Sequence, residues 1–130
     1  NKFSEELKKN KIKNIKLPVS APFHCELMKS ASEKMREEIN KIEFKKPEIN
    51  IISNVTAQET NDPNDIKRLL IEQIESPVRW REIVINMIDL NVEKFIEIGP
   101  GKVLSGLVKR INSDVELIQV NELEDLNKLI

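Results

Sequence analysis

Between Cys25 and Ile42 the apolar positions are Leu27, Met28, Ala31, Met35, Ile39 and Ile42. Steps of three and four put them on one face of a helix. The same spacing recurs at Ile66, Leu69, Leu70 and Ile74, in a segment that opens with Pro63 at a first-turn position and must finish before Pro77. Trp80, Ile83, Val84, Met87 and Ile88 predict a helix within 78–90, and 101–111 and 123–130 predict two more. Shorter apolar runs between them read as strands: 48–55, rich in Ile and Val, expected to be buried and to end at Asn54; 93–99; and 115–120. At the front of the chain Ser4 is a candidate N-cap ahead of Glu5 and Glu6, in a short helix over 3–9 that Asn10 ends. Residues 11–19 alternate lysine with Ile12 and Ile15, a pattern for an edge strand stopped by Pro18. Strands alternating with helices imply parallel pairing and an α/β layer architecture.

The 130 residues suffice for a domain of ordinary size, with no internal repeat, low-complexity segment or Gly/Ser linker. The clearest boundary is Leu17-Pro18, where lysine-rich alternation stops. Net charge is -1, so the total favours neither nucleic acid nor an anionic membrane. The charge is uneven along the chain. Residues 1–16 carry lysines at 2, 8, 9, 11, 13 and 16 against Glu5 and Glu6, while 114–125 hold Asp114, Glu116, Glu122, Glu124 and Asp125 and no basic residue. The single cysteine, Cys25, cannot form an internal disulfide, which fits a reducing cytoplasm. No signal-peptide pattern opens the chain and no apolar run approaches the roughly 18 residues of a membrane span. The chain starts at Asn1, already in a helical pattern, from which further residues upstream are expected.

Several candidate chemistries fall away on spacing. Gly99-Pro100-Gly101-Lys102 sits between a strand and a helix, but a phosphate loop needs four residues between its first Gly and a Gly-Lys-Ser/Thr, and a dinucleotide fingerprint needs a small residue where Leu104 stands. The turn therefore reads as structural, with Lys102 left as a ligand contact. No metal site is expected, because the only histidine and the only cysteine are sequence neighbours and have no second cluster to join. Cys25 is either a nucleophile at a helix start or, as its poorly placed neighbour His24 argues, a buried small hydrophobe. His24 either packs at the helix start or acts as a base. Gln73 tips that balance. It interrupts an apolar helix face and so points inward, and it stands in the last turn, where carbonyls lack intrahelical donors. Such a carbonyl can hold one imidazole nitrogen and fix the tautomer, the service a carboxylate performs in a serine-protease triad.

Three stretches in this order, "LPVSAPFHCELMKSA" (17–31), "SPVRW" (76–80) and "EIGPGKVLSGLVKRI" (97–111), resemble the C-terminal part of the malonyl-CoA:acyl carrier protein transacylases of bacterial fatty acid synthesis. The resemblance extends over essentially the whole chain. It implies an α/β fold in which residues 1–17 are the last helix and strand of a small ferredoxin-like subdomain and 18–130 are the second half of an α/β-hydrolase-like parallel-sheet subdomain. It implies His24 as the catalytic histidine and Gln73 as the residue whose main-chain carbonyl orients it. In the family a serine in a Gly-His-Ser-Leu-Gly elbow takes malonyl from coenzyme A and hands it to the phosphopantetheine thiol of acyl carrier protein. Malonyl-CoA is then a substrate, and no permanently bound cofactor is expected. This chain has glycine only at 99, 101 and 106, so the elbow, the carboxylate-binding arginine and the oxyanion hole would lie upstream, and the segment alone would be inactive.

Phe23 occupies the place where related polyketide acyltransferases carry an aromatic residue alongside malonyl selectivity. It is either a wall or a filter, since one methyl is typically worth about 1–3 kcal/mol. Asn54 either faces the active-site cleft or closes a turn, and Trp80 reads as core. Lys8, Lys9, Lys11, Lys13 and Lys16 either attract an acidic carrier protein or guard an exposed strand edge. Two rival readings stay open. One is a non-catalytic α/β module that binds an acidic protein partner, and the other is an acyltransferase fragment of a larger polyketide or fatty acid synthase.

Overall fold

A computed structural model describes residues 2–15 and 21–129. Along the chain run α1 (Lys2–Lys9), α2 (Lys29–Asn40), β1 (Ile51–Ile52), β2 (Glu59–Thr60), α3 (Pro63–Glu72), α4 (Trp80–Asp89), β3 (Lys94–Ile98), α5 (Val103–Ile111) and β4 (Glu116–Val120). A single 3₁₀ turn, Glu26–Met28, leads into α2, and Leu123–Leu129 is a 3₁₀ stretch. β3 and β4 pair in parallel, with Lys94 opposite Glu116 and Ile98 opposite Val120, across α5. That is the strand-helix-strand unit a parallel pair requires. β1 and β2 form a separate antiparallel hairpin.

Local chemistry explains the helix borders. Asp62 caps α3 by accepting from Asn64 N and Asp65 N at 2.8 and 3.0 Å, with Pro63 in the first turn. At the other end of α2, Lys67 reaches across from α3, donates to Asn40 O and Ile42 O at 3.1 and 3.2 Å, and lies 5.9 Å from the Phe44 ring centre. One lysine thus satisfies helix-end carbonyls and ties α2 to α3. α4 stops at Asn91, which takes a left-handed φ of 63° and bonds back to Ile88 O.

Of the faces the spacing anticipated, Ile39 of α2, Ile66 and Leu69 of α3, and Ile83 and Val84 of α4 are buried, Val84 completely, whereas Leu27, Met35, Ile42 and Leu70 are exposed. Ile71 of α3, outside its anticipated face, and Val108 of α5 join the core. Each such side chain contributes about 1.5–3 kcal/mol by leaving water. Burial stops on one side of β3, where Ile96 and Ile98 are 44% and 78% exposed.

Four expectations need correction. Ser4 does not cap α1 but stands inside it, its Oγ donating to Asn14 Oδ1. Residues 12–15 form no strand, and 16–20, with the Leu17-Pro18 boundary, lie outside the described residues. The Lys/Ile alternation there has no neighbouring strand to hydrogen-bond among the described residues, and a pattern without a partner does not make a strand. The strand expected over 48–55 shrinks to two residues and is not buried, with Ile49 79% and Ile51 42% exposed. Its partner β2 is polar and was invisible to a search for apolar runs. The last helix is 3₁₀ rather than α, and Asp125, which would stand inside it, instead accepts from Asn121 N and Glu122 N. Among the described residues no helix is long and apolar enough to cross a membrane.

Candidate functional site

The site begins with a backbone contortion. After Ala21-Pro22-Phe23 the chain passes through His24 with φ of 60°, and only at Cys25, extended at φ -151° and ψ 170°, does it line up for the 3₁₀ turn into α2. A histidine tolerates the left-handed region better than most residues, at a cost of order 1 kcal/mol or more. The contortion leaves His24 exposed instead of packed on the helix. Phe23 beside it is 60% exposed. Cys25 is half-buried, and its thiol donates to Pro22 O at 3.1 Å, so it is neither an exposed nucleophile nor the fully buried hydrophobe expected.

His24 Nδ1 lies 2.9 Å from the main-chain oxygen of Gln73. The sequence accounts for that oxygen being free. Gln73 is the C-cap of α3, still helical at φ -61° and ψ -21°, and the residue four places on, whose N–H would ordinarily take its carbonyl, is Pro77. A carbonyl only accepts, so Nδ1 carries the hydrogen, and in the neutral ring Nε2 then keeps its lone pair. The ring is thereby fixed in the tautomer that can receive a proton on its outward nitrogen.

Gln73 also anchors a side-chain contact. Its Oε1 accepts from Asn54 Nδ2 at 3.1 Å, and both residues line a pocket of about 210 Å³ between the β1–β2 hairpin and α3. Asn54 O accepts from Arg79 N at 3.1 Å, and Arg79 Nη1 donates to Thr56 O at 3.0 Å. Residues 24, 73 and 54 are therefore brought together from three parts of the chain. The contact between 24 and 73 follows from helix-end accounting, but nothing in the sequence links Asn54 to Gln73 except the polar interruption of an apolar helix face.

The glycine turn is a different kind of place. Gly99 and Gly101 take φ of 133° and 103°, values that L side chains rarely adopt, and Gly101 N donates to Asn121 Oδ1 at 2.7 Å. The helix start behind them is already occupied: Glu97 accepts from Leu104 N at 3.0 Å, and from Ser105 N and Ser105 Oγ at 2.8 and 2.6 Å. Those bonds, the Ser105 hydroxyl first, hold the Glu97 carboxyl below its usual range. A carboxylate of the chain itself sits where a phosphate would have to bind, and Lys102 is exposed beside it. Trp80 is half-buried, and its Nε1 is buried without a hydrogen-bond partner. Among the described residues no group of three His, Cys, Asp or Glu side chains is arranged to hold a metal.

No model of a protein family matches the chain. Individual proteins do. The malonyl CoA-acyl carrier protein transacylase of Bacillus subtilis is 47% identical over 128 residues, 98% of this chain and 40% of that protein. The crystal structure of the malonyl CoA-acyl carrier protein transacylase of Clostridium perfringens superposes with a TM-score of 0.84 at 42% identity, covering 96% of this chain and 40% of that one. A solved complex of a type II PKS acyl-carrier protein with its malonyl-transacylase matches with a TM-score of 0.79 at 38% identity, covering 86% and 36%. The chain spans about two fifths of the length of the curated relatives it matches. In sequence and in its mixed α/β fold alike, this chain is a homologue of the C-terminal segment of the malonyl CoA-acyl carrier protein transacylases.

Proposed function

We propose that this chain supplies the general base of a malonyltransferase that moves malonyl from coenzyme A to the phosphopantetheine thiol of acyl carrier protein. The observation that carries the reading is the 2.9 Å hydrogen bond from His24 Nδ1 to the Gln73 carbonyl. With Nδ1 so engaged, Nε2 takes the proton of a serine hydroxyl as that oxygen attacks the thioester, returns it to the departing coenzyme A thiolate, and repeats the cycle with the carrier thiol. The Gln73 carbonyl stabilises the imidazolium that forms in each half-reaction, by its dipole instead of a full charge. The serine belongs to a part of the protein outside these residues, as do the oxyanion donors, so this chain by itself is inactive. The reaction needs no resident cofactor. Phe23 and Asn54 flank the acyl group.

In this reading residues 1–17 are the tail of a small ferredoxin-like subdomain and 18–130 part of a large acyltransferase subdomain. The exposed lysines at 8, 9, 11 and 13 support docking of an acidic carrier, since no strand runs through 12–15 for them to guard. A malonyltransferase of this kind works in the cytoplasm.

The test is malonyl transfer by a longer protein that carries this chain together with a Gly-x-Ser-x-Gly elbow, with and without His24→Ala. Transfer falls roughly a thousandfold. A loss below tenfold rejects the assignment.

A further inference from the structure

The segment from Gln73 to Arg79 connects α3 to α4, and both of its ends are held by one residue. Asn54 donates from Nδ2 to Gln73 Oε1 at 3.1 Å, and through its own carbonyl accepts the Arg79 N–H at 3.1 Å. The Asn54 side chain is half-buried, so the amide bond is not freely exchanged for water. What it restrains is the residue whose main-chain oxygen faces His24. Gln73 sits at a fraying position: its N–H still closes on Leu69 O at 3.0 Å, whereas its carbonyl has no donor four residues on, because Pro77 has none. The peptide that carries this carbonyl is tied at its far end only by a long bond, Ile74 N to Ile71 O at 3.3 Å, and the direction of the carbonyl decides where the imidazole hydrogen resides.

We propose that Asn54 is a positioning residue, which clamps both ends of the α3–α4 connection so that the Gln73 carbonyl stays aimed at His24 Nδ1. This rests on the reading of His24 as the base, and adds to Asn54 a role that needs no contact with substrate. The clamp acts through the Gln73 side chain, so its two partners are interchangeable in their effect. Removing either amide frees the same carbonyl.

The chain's single histidine makes the test direct. Ring ¹⁵N shifts of His24, recorded on this 130-residue protein with the imidazole neutral, give the ratio of Nδ1–H to Nε2–H tautomers. Asn54→Ala lowers that ratio roughly threefold to tenfold. Gln73→Met, which keeps the main-chain acceptor and the Asn54–Arg79 bond, lowers it by a similar factor, and the double variant shifts it no further than either alone. Should Asn54→Ala not fold, Gln73→Met reads the same bond from its other end. A ratio unchanged in a folded single variant overturns the proposal, as do single effects that add in the double variant. A clamp that served stability alone would lower the melting temperature and leave the tautomers untouched. Malonyl transfer does not enter this measurement. An unmoved tautomer defeats the clamp without touching the His24 assignment, and transfer indifferent to His24→Ala defeats that assignment while leaving the tautomer result intact.

Discussion

Two helix ends in this molecule meet the same physical problem in opposite ways. The last turn of a helix leaves carbonyls unmatched and the first leaves amides unmatched, and each needs a partner from elsewhere. At the start of α5 the partner is Glu97, a few residues back on β3, which takes the Leu104 and Ser105 amides and the Ser105 hydroxyl. At the end of α3 the partner of Gln73 O is a titratable ring 49 residues away, presented on an exposed and backbone-strained residue. The first arrangement is local and sealed, and its carboxylate is held charged. The second is assembled at long range and keeps one ring nitrogen open to solvent. The contrast teaches that an unsatisfied helix end becomes chemistry only when its partner has a second face to offer.

Breaking each end separately sharpens the difference. The largest effect belongs to His24→Ala, which drops malonyl transfer by a longer protein carrying this chain by roughly a thousandfold. The melting temperature hardly moves, since an exposed ring leaves little buried surface behind. Glu97→Ala does the reverse: transfer is affected far less, while the melting temperature measured by calorimetry falls because Leu104 and Ser105 lose their acceptor. Next in size is Asp62→Ala at the sealed start of α3, which lowers stability by about 1 kcal/mol in denaturant titration. Gln73→Ala should cost transfer no more than about tenfold, because the acceptor is main chain and survives the change; a loss equal to that of His24→Ala would mean the side chain, not the carbonyl, is the orienting group.

Acid gives the finest distinction. Glu97 has its folded-state carboxyl lowered, and Asp125 is lowered to about 2 by the Lys128 ammonium first and then by Asn121 N. A depressed folded-state value means stability that is fully present above the unfolded values of 4.5 and 3.8 and is lost as pH falls through the folded ones. Equilibrium unfolding from pH 5 downward therefore shows a declining limb, and Asp125→Asn flattens its lowest part, between about 4 and about 2. Neither change alters the His24 tautomer.

Much of this was legible in the residues. The helices α2 to α5 follow from apolar spacing, Pro63 and Pro77, because those signals are local, whereas α1 was read from Ser4 as its cap although Ser4 stands inside it and the helix buries no residue. β3 and β4 read correctly as strands for the same reason, and their parallel pairing follows from the helix between them. Register and partnership were less accessible. β2 is Glu-Thr, polar and two residues long, held by a turn in which Ala57 takes φ of 57° and by the Asn86 side chain bonding to Ala57 O. Residues 12–15 had strand chemistry and, among the described residues, no strand to pair with. At the site, Gln73 was readable as a free carbonyl near His24, whereas the Asn54 amide became visible only once the hairpin had been laid against α3. Glu97 escaped notice because it caps from a preceding strand, beyond the spacing of a capping box.

Ile96 and Ile98 stand open on one face of β3, and Ile49 and Ile51 are exposed at the hairpin. Parallel strands are ordinarily sheathed on both faces. Bare isoleucine on so short a sheet makes the isolated chain adhesive to its own copies, and light scattering from a purified sample should rise with protein concentration and with added sulfate, which strengthens apolar contact.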